Sequence, residues 1–212
     1  MAPPPAFTDA EATAVRQWIE NGGSLLFALN GFAAGPHSVL SRLGVEFKLG
    51  AATDTDIPTE TDNNRSGGFM FSGELLSSAH RIFLGRSSAE QVRTVILSGM
   101  TAIQTMPQDA VTLIQCSGNA QFNPDFRQVQ AAAKAKGLTV QQYMGRIPDP
   151  HAAVAIAYSL GKGRVVVLGN ILISSTIFYS IENPRAGAYQ GLRLGDNQQF
   201  TLNVLHWLSG LL

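Results

Sequence analysis

Apolar residues at helical spacing come first at Ala12, Val15, Trp18 and Ile19, in a segment opened by Thr8 with Glu11 three positions on. That pairing is a capping box, and it predicts a helix running to about Glu20. Asn21-Gly22-Gly23 closes it, and the continuous run Ser24 to Leu29 predicts a strand buried on both faces. Asn30 to Gly35 reads as a loop, Ser38 to Leu43 after Pro36 as a short helix ended by Gly44, and Val45-Glu46-Phe47 as a second strand. From Lys48 to Gly68 the chain turns to Thr, Asp, Asn, Gly and Ser, which predicts a long exposed loop over 48–68. Apolar segments return at Phe69-Met70-Phe71 and from Leu75 to Leu84, and strands are expected over Val92 to Leu97, Thr101 to Ile103 and Val111 to Gln115. Residues 117–152 read as a helical insertion, with a helix from Asp125 to Lys136 ended by Gly137. Val154 to Tyr158 and Arg164 to Leu168 flank Gly161-Lys162-Gly163 and predict a β-hairpin, and Asp196 or Asn197 opens a terminal helix carrying Phe200, Val204, Leu205, Leu208 and Leu211.

Helices between short, non-alternating apolar strands imply an α/β sandwich of layers with an antiparallel hairpin at one edge. The length, 212 residues, suits one domain over 1–212. Hydrophobic residues are 45% of the chain and charged residues 14%, enough apolar material for a core and too little charge for disorder. The 15 basic and 15 acidic residues cancel, so no long-range field favours nucleic acid or an anionic membrane surface. A single cysteine, Cys116, rules out an internal disulfide and a multi-cysteine zinc site. No apolar run reaches the length of a membrane span and the first ten residues have no signal-peptide core, so the expectation is a cytoplasmic protein, or an exported one if an upstream segment was removed.

The opening Phe7 to Leu26, with Trp18-Ile19 leading through Gly22-Gly23 into a strand, resembles bacterial proteins of the class I glutamine-amidotransferase-like superfamily, in the uncharacterised branches near the trehalose-utilisation-like domains. Gly161 to Gly169 and Asp196 to Leu208 are similar to the close of those chains. The resemblance implies a three-layer flavodoxin-like or amidotransferase-like sandwich with a mostly parallel sheet. It also implies one or two strands before the helix that opens this sequence, so that a sheet edge lies exposed here and invites a homo-oligomer. The family's catalytic members carry a nucleophilic cysteine in a sharp turn after a central strand. No turn here has Gly-x-Cys-x-Gly spacing, so glutamine hydrolysis is not expected.

Several residues are candidates for chemistry. Cys116 and Ser117 stand at the end of an expected strand, where α/β sheets place reactive groups; each is a nucleophile if a histidine activates it, and Cys116 is otherwise a buried core residue. His37 follows the loop of Asn30 and Gly31, and these three residues with His80 make up the expected ligand-binding set. His80 precedes Arg81 in a turn that resembles one of the family's and reads first as a residue that positions the fold; His206 reads as a packed helix residue. Asp54, Asp56, Glu60 and Asp62 lack the spacing of a calcium loop and read as a solvated loop, and no metal or cofactor is implied. The leading functional expectation is a non-glutaminase domain that binds a small molecule or carbohydrate, or serves as an accessory module. The alternative is a small hydrolase of ester, lactone or amide bonds built on Cys116 or Ser117 with His37, His80 or His151.

Overall fold

The computed structural model describes residues 7–29, 37–62, 66–97, 99–124, 126–139, 147–170, 176–178 and 188–212. The Glu11 carboxylate accepts from the Thr8 N–H at 2.8 Å while the Thr8 hydroxyl oxygen accepts from the Glu11 N–H at 3.2 Å, so α1 (Asp9–Glu20) starts where its capping box puts it. Gly22, at φ +113°, turns the chain into β1 (Ser24–Ala28). Then come α2 (Ser38–Arg42), β2 (Glu46–Phe47), β3 (Gly50–Thr53), β4 (Thr59–Asp62), β5 (Ser66–Ser72), α3 (Arg81–Leu84), β6 (Thr94–Leu97), β7 (Ile103–Thr105) and β8 (Val111–Gln115). The second half adds β9 (Gln121–Pro124), α4 (Phe126–Ala135), β10 (Ile147–Pro148), β11 (Ala153–Leu160), β12 (Gly163–Leu168), β13 (Thr176–Phe178), β14 (Ala188–Gln190) and α5 (Asn197–Leu208).

The central sheet has the order β1-β12-β11-β8. Side chains alternate across it and feed two cores. Val165 and Val167 of β12, with Ile156 and Tyr158 of β11, meet Ala12 and Ile19 of α1 and Val39 and Leu40 of α2. Val166 and Leu168 point the other way, with Ala155 and Ala157, into a core that holds Phe71, Phe83, Leu113, Phe200 and Val204. A register shift between Ala153 and Ala155 leaves Val154 unpaired with β8, which is how adjacent Val154 and Ala155 come to share that second core. Close backbone approach requires glycine at the hairpin's exit: a Cβ on Gly163 would lie 2.1 Å from the carbonyl oxygens of both Ile19 and Gly23.

The expected mostly parallel flavodoxin-like or amidotransferase-like sheet is not what forms. β1 with β12 is the one parallel pairing among the described residues; β12 with β11 and β11 with β8 are antiparallel. The smaller sheets, β10-β9-β3, β4-β5-β6, β2-β7 and β13-β14, are antiparallel throughout. The fold is thus a set of mixed and mostly antiparallel sheets with a few helices. A parallel neighbour requires a crossover of a dozen or more residues; here a tight turn joins β11 to β12, and the long stretch between β8 and β11 brings the chain back antiparallel. The apolar runs locate the strands but carry no sign of their direction or place: the Ser24–Ala28 strand, expected to be buried on both faces, is partly buried with Leu26 exposed, and the β11-β12 hairpin, expected at an edge, forms the middle of the sheet.

The 48–68 segment is a second correction, because it contains β3 and β4 and reaches into β5. Gly50 to Thr53 pair with Pro124 to Gln121, and Thr59 to Asp62 with Phe69 to Ser66. Thr53, Thr59 and Thr61 supply β propensity that the segment's polarity conceals. The 117–152 insertion is likewise not helical throughout, since β9 and β10 flank α4 and pair with each other. No helix among the described residues is long and apolar enough to cross a membrane.

Candidate functional site

β1, β12 and β8 run in one direction, so Leu29, Gly169 and Cys116 leave the central sheet at the same end, beside Ala152 entering β11. Cys116 is fully buried, and its N–H donates to the Ala152 carbonyl at 2.9 Å. Burial, then the negative charges of Asp54 and Asp149, push its thiol up to about 12. Burial of this kind favours the neutral thiol, the form that is not the nucleophile.

Ser117 is occupied by Asp54. The Ser117 N–H donates to Asp54 Oδ2 at 2.6 Å and its hydroxyl donates to Oδ1 at 2.9 Å, while Asp54 Oδ1 also accepts from the Asp56 N–H at 3.1 Å. The Ser117 oxygen accepts in turn from the Asn119 N–H at 3.1 Å, and Asn119 Nδ2 donates to Asp56 Oδ2 at 2.6 Å. Asp54 is 3% exposed, so this one acid departs from the solvated loop that the composition suggested, while Asp56 is exposed. Its carboxylate ties the chain after β3 to the turn after β8. His151, at φ +56°, donates its N–H to the Ser117 carbonyl at 2.9 Å and its imidazole lies over Gly118. No hydrogen bond joins that ring to the Ser117 hydroxyl.

His80 caps α3, its Nδ1 accepting from the Ile82 N–H at 3.2 Å, and its ring packs on Trp207 with centroids 5.5 Å apart. Burial lowers its pKa, which favours the neutral acceptor that the cap uses. It therefore positions α3. On α5, His206 has its Nδ1 buried. Asn30 and Gly31 lie outside the described residues.

His37 does border a cleft. It stands at the start of α2, makes no side-chain cap, and meets the Phe27 ring of β1 edge-on at 5.1 Å and 78°. The cleft lies between α2 and the β2-β7 ribbon, holds about 280 Å³, and is lined by His37 and Ser41 on one side and Glu46, Phe47, Leu49 and Gln104 on the other. A second cleft of about 360 Å³ continues from Leu49 and Gln104 to Lys48, Phe122 and Ile147. There the Lys48 ammonium is paired with Asp149 Oδ1 at 2.5 Å and lies 5.7 Å from the centre of the Phe122 ring. Glu46, Gln104, Lys48 and Asp149 were not singled out by sequence reasoning. Each stands in a short strand or beside one, and nothing in its neighbours along the chain marks it. No group of three potential metal-ligating side chains forms among the described residues.

No family model and no curated protein matches the chain. Among solved structures it is similar to the mmIFT52 N-terminal domain, with a TM-score of 0.54 and 16% identity, over 96% of this chain and 72% of that one. It also aligns with the cytoplasmic protein STM1381 from Salmonella typhimurium LT2 at a TM-score of 0.45 and 13% identity, over 93% of this chain and 60% of that one. At such identity the first likeness bears on fold alone: the chain has the overall fold of the mmIFT52 N-terminal domain.

Proposed function

We propose that the chain is a non-catalytic module that binds a small molecule or carbohydrate in the cleft between α2 and the β2-β7 ribbon. One observation carries this reading. His37, Ser41, Glu46 and Gln104 converge on a partly apolar concavity, and the His37 imidazole, Ser41 hydroxyl and Gln104 amide make no hydrogen bond within the described residues. Uncommitted donors and acceptors over an apolar floor are the makings of ligand recognition. The hydrolase alternative asks for a nucleophile, and the burial of Cys116 and the Asp54 bonds of Ser117 count against both candidates. A thermal-shift screen of small polar compounds and sugars tests the reading. Compounds that raise the melting temperature of the wild type should lose that effect in His37→Ala, Glu46→Gln and Gln104→Ala. Stabilisation that survives all three substitutions overturns it.

An accessory, self-associating role has separate support. β1 is paired along one side only among the described residues, and Ser24 to Ala28 lacks the charges, prolines and bulges that usually block strand addition. Leu26 in that strand is 36% exposed. A Leu26→Lys substitution should abolish any dimer seen by light scattering, and a wild-type chain that stays monomeric at high concentration removes this second reading.

A further inference from the structure

We propose that the two adjoining clefts form one extended site for a neutral glycoside of two sugar rings, one ring in each lobe. The inference rests on the cleft reading above and adds the ligand's class and length. The lobes, of about 280 and 360 Å³, share Leu49 and Gln104 as a common wall. Each lobe has its own aromatic side chain, Phe47 in the first and Phe122 in the second, to lie against the apolar C–H face of a ring. Gln104 stands at the junction, and its amide offers a donor and an acceptor at once, as a glycosidic link flanked by hydroxyls requires.

Charge selects a neutral ligand. The cation in these walls, Lys48, is already neutralised by Asp149, so a phosphate or carboxylate would have to compete with a bonded carboxylate at 2.5 Å. The first lobe adds Glu46, which repels anions and accepts from hydroxyls. Among the described residues its Oε2 is engaged by the Thr105 hydroxyl at 3.4 Å, a long contact that a sugar hydroxyl would readily replace. An all-apolar ligand would leave the polar groups of both lobes without partners. A ligand rich in hydroxyls, each both donor and acceptor, satisfies them.

The experiment is a nitrogen-15 NMR titration of the full chain with neutral disaccharides, their component monosaccharides, and glucose 6-phosphate. At least one disaccharide should bind about tenfold more tightly than either component. It should move the Ser41 and Phe47 amides together with those of Phe122 and Ile147 in one saturating event. Gln104→Ala, at an exposed position, should weaken the disaccharide by about tenfold and its component monosaccharides by less, so that most of the gain from the second ring is lost. Shifts confined to the His37 lobe, with no gain from the second ring, overturn the two-ring proposal and leave the cleft reading standing. Tighter binding of glucose 6-phosphate than of glucose, with shifts centred on Lys48, overturns its neutral character. The absence of shifts in either lobe with every sugar overturns the glycoside assignment, and the screen described above then decides the cleft reading by itself.

Discussion

Replacing Asp54 with asparagine alters one atom of the side chain and should destabilise the protein more than removing the Ser117 hydroxyl altogether. Asp54 is 3% exposed and its two oxygens accept from the Ser117 N–H, the Ser117 hydroxyl and the Asp56 N–H at 2.6, 2.9 and 3.1 Å. In Asp54→Asn one oxygen becomes an NH₂ group, so a donor faces a donor and the remaining bonds lose their charge assistance. Bonds to a charged group contribute about 1.5–3 kcal/mol each, and one lost outright with the others weakened comes to roughly 3 kcal/mol. Ser117→Ala removes one charge-assisted, part-buried bond to Asp54, about 1.5 kcal/mol at the low end of that range, while the exposed Asn119 N–H turns to water and the Ser117 N–H keeps its partner. Urea unfolding separates these values: with a slope of about 2 kcal/mol per M, the Asn variant should lower the midpoint by roughly 1.5 M and the Ala variant by about 0.8 M. A midpoint for Asp54→Asn within about 0.2 M of wild type, or a larger loss in Ser117→Ala, would refute the assignment of this pair as a structural clasp. The same proteins assayed on short acyl esters address the chemistry, since a catalytic Ser117 would show turnover that disappears with its hydroxyl.

Three further outcomes follow from particular groups. Cys116, fully buried with its thiol pushed up to about 12, should resist thiol reagents at pH 8 in the native state and react fully in denaturant. Because the folded thiol holds its proton more tightly than the unfolded one, its contribution is complete below about pH 9 and is lost as pH rises toward 12, by at most about 4 kcal/mol. Cys116→Ala should flatten that part of the alkaline decline, leaving the part due to Tyr158, also pushed up to about 12 by burial. Asn197→Ala should cost about 3 kcal/mol in the same urea assay, since the buried amide accepts from the Ile96 N–H at 2.9 Å and donates to the Ile96 and Gly191 carbonyls at 2.8 Å. A loss under about 1 kcal/mol would mean that water takes its place. Gly163→Ala should cost at least about 3 kcal/mol or prevent folding, because its Cβ would lie 2.1 Å from two carbonyl oxygens; near-wild-type circular dichroism and melting would contradict the packing described.

What the sequence discloses about this fold is local. Thr8 and Glu11 announce α1, and Gly161 to Gly163 between two apolar runs announce the β11-β12 hairpin, whereas the run Ser24 to Leu29, read as buried on both faces, forms a strand that leaves Leu26 exposed. Strand direction is a different matter, because Val111 to Gln115 has the same composition whether its neighbour runs with it or against it. The partner is chosen by tertiary packing, as in the pairing of Ile114 with Ala155. Asp54 shows the same limit for side chains. In sequence it is one acid in a polar stretch; in the fold it is buried by the turn at Ser117, which lies 63 residues away. Of the residues that line the two clefts, His37 alone was a candidate in the sequence, since Glu46, Gln104 and Lys48 come near one another only when β2 and β7 pair.

The most direct test of the binding account is a crystallographic soak of the protein with a mixed library of small polar molecules and sugars. Electron density for bound compounds should concentrate between α2 and the β2-β7 ribbon, touching His37, Glu46 or Gln104. Compounds that gather instead beside Cys116, Ser117 and His151, with the α2 cleft empty, would contradict the account and return those residues to the centre of the protein's chemistry.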